Sequence, residues 1–133
     1  MVMSEENINS FEGLQCWKAC RVLRLFITQE VIPQLPKDER FRLSDQLYRS
    51  ARSTTANIAE GYGRFHYLDN SRFCTQARGS CWEVLDHLIT AVDESLIPQS
   101  YLDRGRTLIE QANKILNGYI NYLKRSANPP LNQ

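Results

Sequence analysis

Plotted at about 100° per residue, the apolar positions fall on four stripes separated by short breaks that carry proline or glycine. The first stripe is Cys16, Ala19, Cys20, Leu23, Phe26, Ile27 and Val31, with Trp17 at its edge, and it predicts a helix over about 14–31. Pro33 and Pro36 in "IPQLP" then disfavour helix at themselves and just before. A second stripe, Phe41, Ser44, Leu47, Tyr48, Ala51, Thr55 and Ile58, predicts a helix over 38–61 with the acids of "KDE" in its first turn. The third helix is expected over 69–94 on Phe73, Ala77, Ser80, Cys81, Val84, Leu88 and Ala91, with Asp69 as its N-cap. After "SLIPQS", where Pro98 suits an early helical position, a fourth is expected over 99–124 on Tyr101, Leu108, Ala112, Ile115, Leu116, Tyr119 and Leu123. Its opposite face holds Asp103, Arg106, Glu110, Asn113, Lys114, Asn117 and Asn121. No alternating run has the length of a strand. Four long helices with short connections predict an all-α, up-down-up-down four-helix bundle over residues 11–125, with disordered segments at 1–10 and 126–133.

An amphipathic bundle leaves three groups of residues unexplained. On the second helix, Arg42, Gln46, Arg49, Ser53, Asn57 and Glu60 follow one another at spacings of three and four, which makes a polar line. A solvated face is one reading. Ser53 and Asn57 are poor helix formers, however, and their place among the small residues of "SARSTTANIA" suits hydrogen bonding to another helix or another subunit. On the third helix, "ARGSCWE" puts Gly79 in mid-helix, where it costs about 1 kcal/mol against alanine and so suggests a close approach. Ser80 and Glu83 are placed to meet the polar line. Trp82 points away from the core with Ile89 two turns on, which makes an oligomer or partner contact of this pair, against a lone surface aromatic as the plainer reading.

The third group is "ANIAEGYGRF", residues 56–65. A dinucleotide-binding loop needs a preceding strand and a third glycine, and a P-loop needs Lys-Ser/Thr; both are missing here. Gly61 and Gly63 instead fit a helix C-terminus in left-handed geometry, with Arg64 where a cation meets the helix dipole.

Composition narrows the choice of function. Hydrophobic residues make up 42% and charged ones 23% of 133 residues, an ordinary globular balance for a single domain. Net charge is +1, so no whole-chain field draws nucleic acid. The charge is uneven: residues 14–64 hold nine Lys/Arg against five acids, and residues 65–98 hold two against five. Lys18, Arg21 and Arg24 on the first helix and Arg42, Arg49 and Arg52 on the second are therefore the nucleic-acid candidates, with pairing to acids as their alternative role. The acidic start "MVMSEENINS" has no signal-peptide pattern and no apolar run approaches the ~20 residues of a membrane span, which predicts a cytoplasmic protein with reduced thiols. Cys16, Cys20, Cys74 and Cys81 share two helix faces; a zinc site bridging those faces lacks any Cys-x-x-Cys knuckle, which favours small core residues and no metal. His66 and His87 lie in different segments without a nucleophile constellation, so neither enzymatic activity, a cofactor nor a small-molecule substrate is expected.

"FEGLQCWKAC", "LSDQLYRSARSTTANIAEGYGR" and "RFCTQARGSCWEVLDHL" together resemble the bacterial four-helix-bundle family called 23S rRNA intervening-sequence proteins. The most specific part is Asn57 to Gly61 with Gly63 and Arg64, then Gly79, Ser80 and Glu83. The resemblance spans about residues 10–125. It implies a cytoplasmic, non-enzymatic bundle that forms homopentamers. A related branch is the accessory variability determinant protein of diversity-generating retroelements, which implies nucleic acid or a nucleic-acid enzyme such as a reverse transcriptase as partner. That branch is strongly basic, whereas this chain carries +1.

Overall fold

A computed structural model describes residues 10–128. Four helices carry the chain: α1, Gln15–Phe26; α2, Leu43–Gly63; α3, Tyr67–Asp93; and α4, Gln99–Ala127. Helix α2 packs on α3, α3 on α4, α4 on α1, and α1 on α2, which closes a four-cornered bundle. Three residues join α2 to α3 and five join α3 to α4. Such connectors are far shorter than helices of ~30–40 Å, so α3 runs antiparallel to both α2 and α4. The fold is the expected all-α four-helix bundle.

The core follows the predicted stripes closely. Leu23, Ile27, Leu47, Ile58, Val84, Leu88, Ala112, Leu116 and Leu123 are among its buried side chains. It holds all four cysteines, as expected, and also takes in Leu85, Leu102, Ile109 and Ile120, which were left off the predicted faces. No described helix is long and apolar enough to cross a membrane.

Departures from the expected boundaries have local causes. Helix α1 does not simply stop at Val31: it widens into a π-helical turn over Ile27–Val31 and tightens into a 3₁₀ turn over Ile32–Gln34. Pro33 has no N–H to offer the carbonyl four residues back, and the wider turn absorbs that loss without breaking the rod. Helix α2 begins at Leu43 rather than 38. Residues Lys37–Glu39 form a 3₁₀ turn, and Arg42 at φ −121°, ψ −106° separates it from the helix. Glu39 still acts on α2, since the Leu43 N–H donates to its carboxylate at 3.3 Å. Because residues 40–42 are a turn, Phe41 loses the helical register and lies 84% exposed instead of in the core.

At its other end α2 runs through both glycines to Gly63, and neither has a positive φ. The left-handed residue is Phe65, at φ 61° and 86% exposed. Asp69 is not the cap of α3; His66 occupies that position, and Asp69 in the first turn pairs with Arg72 at 2.9 Å. Helix α4 continues to Ala127, past the expected end at 124. Of the segments expected to be disordered, residues 1–9 and 129–133 lie outside the described residues, while Ser10 accepts a hydrogen bond from the Glu12 N–H at 3.1 Å and residues 126–127 are helical.

Candidate functional site

The polar line of α2 divides into three parts. At its start Arg42, Gln46 and Arg49 are exposed, and Arg49 pairs with Asp45 at 2.9 Å. In the middle Ser53 and Asn57 are half-buried against α3. The Ser53 and Ser80 hydroxyls lie 2.8 Å apart, and the Asn57 amide donates to both the carbonyl and the hydroxyl of Ser53 at 2.9 Å. At the end Glu60 turns along its own helix to Arg64, at 3.0 Å. Glu83 likewise stays on its helix, 3.2 Å from the His87 ring. Of the two residues expected to meet the polar line, Ser80 does so and Glu83 does not; the Asn57–Ser53–Ser80 chain forms the polar seam between α2 and α3. Short hydroxyls can join two helices where long charged side chains would hold them apart, since packed helix axes stand only ~8–10 Å apart.

One turn beyond this seam, Gly61 sets the approach of α2 to α3. A Cβ there would stand 2.8 Å from Asn70 Oδ1, 2.9 Å from Phe73 Cβ and 3.0 Å from the Asn70 carbonyl. Asn70 itself is buried, donates to the Tyr119 hydroxyl at 3.1 Å and accepts from the Cys74 thiol at 3.4 Å, so it ties α3 to α4. Burial pushes the Tyr119 phenol well above its ordinary range. Asn70 was missed from sequence because its neighbour Asp69 is the more familiar capping residue. Its spacing of three from Phe73 and seven from Ala77 was the available signal. Arg64 lies over the Phe73 ring at 4.9 Å, which packs the α2 terminus onto α3. Gly63 faces open space.

Gly79 does not mediate a close approach within the chain. It is exposed, and a Cβ at that position would meet no atom within 4 Å. The glycine that α3 packs against is Gly105 of α4, where a Cβ would collide with Leu88 Cδ1. On the outer face of α3, Leu68, Thr75, Gly79, Trp82 and Asp86 follow one another at helical spacing. Trp82 is 44% and Leu68 46% exposed, whereas Ile89 is half-buried and packs on the core. On α4, Asn113 and Asn117 belong to the α3 side rather than to a solvated face. Asn117 accepts from Arg78 at 2.7 Å, and the Asn113 Oδ1 is buried without a partner.

The basic candidates occupy different environments. Lys18 and Arg21 are exposed on α1, with Arg21 5.9 Å from the Trp17 ring centroid. Arg24 does not face outward: it is half-buried and donates to the Thr55 hydroxyl at 2.7 Å. Arg52 lies over the Tyr48 ring at 4.7 Å. None of these four forms an ion pair among the described residues.

Residues 12–118, which hold every candidate residue named above, match the profile of the 23S rRNA-intervening sequence protein family. The chain belongs to that family. No curated protein matches the sequence significantly.

For this intervening-sequence protein, the family match spans the cysteine layer as well. Cys16 and Cys20 of α1 and Cys74 and Cys81 of α3 are buried in the bundle centre, and the Cys20 and Cys81 sulfurs lie 3.9 Å apart. Burial pushes the Cys74 thiol up to about 12. The hydrogen bond to Cys20, with burial, holds the Cys81 thiol still higher. Cys74 and Cys81 therefore stay protonated near neutral pH, whereas the hydrogen bond from Cys81 holds the Cys20 thiol below its ordinary value.

Proposed function

We propose that this intervening-sequence protein is a non-enzymatic, oligomeric scaffold that acts in the cytoplasm by presenting a repeated helical surface to a partner. The observation that carries this reading is the outer face of α3. There an indole 44% exposed stands one turn from Gly79, whose surroundings are open. A projecting aromatic beside bare, exposed helix backbone suits an interface anchor, and an open glycine in mid-helix weakens an isolated helix by about 1 kcal/mol. A second copy of the chain that packs there would offset that cost. The homopentamer implied by the family resemblance is the expected assembly, with a cyclic arrangement repeating every surface five times.

Light scattering on the purified chain is the direct test. The scaffold reading expects a species several times the 15.4 kDa of one chain, and Trp82→Glu should shift it toward the monomer while the circular dichroism of the helices is kept. A chain that is strictly monomeric at tens of micromolar would sink the reading.

A second reading, nucleic-acid binding, is supported by Lys18, Arg21 and Arg52, which are exposed and unpaired among the described residues. Symmetric repetition would turn a weak patch into a multivalent one. It expects single-stranded RNA or DNA to shift in electrophoresis at ~50 mM salt and to lose most of that affinity by ~200 mM.

A further inference from the structure

We propose that the cleft between α1 and α2 is a binding site for a nucleoside phosphate. The cleft, of about 530 Å³, falls within the ~300–1,000 Å³ range of small-molecule sites. Its two charged lining residues are both arginines, Arg24 and Arg52, and no carboxylate lines it. Arg24 is fixed in advance by its 2.7 Å bond to the Thr55 hydroxyl, which leaves its other N–H groups for a ligand. Arg52 is held against the Tyr48 ring, so both guanidiniums are positioned before an anion arrives. Guanidiniums match phosphate through paired N–H donors, and a doubly charged phosphate answers two of them better than a single carboxylate does.

The rest of the cleft is built for a flat ring. Phe11 and Trp17 meet edge to face at 5.3 Å between centroids, and both line the cleft. Ala56 and Ala59 make the α2 wall shallow, so a planar group can lie against the helix between them and the aromatic pair. Thr28 adds a hydroxyl from the π-helical turn. An anion at one end and a flat ring at the other describe a nucleotide, whether free or as one unit of a single strand. The strand form of the ligand rests on the nucleic-acid reading; the free form does not.

Calorimetric titration of the full chain at ~50 mM salt with adenosine 5′-monophosphate, adenosine, inorganic phosphate and a short oligodeoxyadenylate separates the possibilities. Adenosine monophosphate should bind, with adenosine and phosphate each at least about tenfold weaker, the usual scale for losing a charge-assisted bond or a stacked ring. Arg52→Gln, at an exposed position, should weaken the nucleotide about tenfold. Trp17→Leu, with folding checked by circular dichroism, should weaken it about as much. If the oligonucleotide binds and these variants leave its affinity unchanged, the cleft is not the site, although the nucleic-acid reading survives. If only the mononucleotide binds, in a manner sensitive to Arg52, the cleft stands and the nucleic-acid reading falls. No binding of the mononucleotide at millimolar concentration overturns the proposal. So does equal affinity for an aromatic carboxylate of the same size, because the phosphate would then contribute nothing.

Discussion

Three glycines that look alike in the sequence have different surroundings, and each predicts a different response to one added methyl group. At Gly61 that methyl would press on the Asn70 side chain, the Asn70 carbonyl and Phe73 Cβ, all within 3.0 Å. Two of these belong to backbone or to the root of a side chain and cannot swing away. Gly61→Ala should therefore lower stability by about 1–3 kcal/mol despite alanine's better helix propensity. Urea denaturation reads the effect, and a midpoint equal to or above the wild type would refute it. Gly63 has open space around its missing Cβ, so the same substitution there is the control and should not destabilise. The sequence assigned both glycines to left-handed geometry at a helix end. Only their location was legible, because the close approach depends on where α3 lies and a single helix carries no record of that. The strained position went to Phe65, a bulky residue at φ 61°, which no propensity rule would select.

Helices α1 and α3 stand at opposite corners of the bundle, yet their thiols meet at its centre. Cysteine is small enough for diagonal helices to share one core layer, with 3.9 Å between the Cys20 and Cys81 sulfurs. The periodicity placed Cys16 with Cys20, and Cys74 with Cys81, on one face of each helix, whereas the meeting of the two faces is visible only in the structure. The α2 start was less legible. "KDE" carries a helix-initiation signal, but it is used by a separate 3₁₀ turn, and Glu39 then caps the real helix from outside. The buried thiols also set a pH limit. Cys74 is raised by burial from 9.0 to about 12, so the folded state retains a proton that the unfolded state loses. Its stabilisation is complete below pH 9 and falls as pH rises from 9 toward 12. Unfolding midpoints in urea should decline across that interval, and Cys74→Ala should flatten part of the decline. A decline of the same depth in that variant would mean that other groups carry the alkaline dependence.

At the scale of the whole molecule, stability of the single chain and stability of the assembly make opposite demands on Gly79. Within one chain nothing fills the space beside it, so Gly79→Ala should strengthen α3 by up to about 1 kcal/mol. In an assembly that seats a neighbouring helix against the bare backbone next to Trp82, the same methyl group would hold the two backbones apart. The scaffold reading thus expects Gly79→Ala to raise the thermal midpoint of dilute, dissociated protein while lowering the mass measured by light scattering at higher concentration. A residue that merely tolerates exposure would give the first effect without the second, and the assembly would then have to use another face. The polar seam of Ser53, Asn57 and Ser80 lies inside the chain, between α2 and α3, and together with the buried stripe of Cys74, Ala77, Cys81, Val84 and Leu88 it sets how α3 is rotated in the bundle. Through that rotation it determines which residues of α3 face outward. Loss of the seam by Ser53→Leu, which removes the bond and adds bulk, should therefore disturb assembly without touching Trp82. Retention of the wild-type mass in that variant would separate the seam from the surface it is argued to orient.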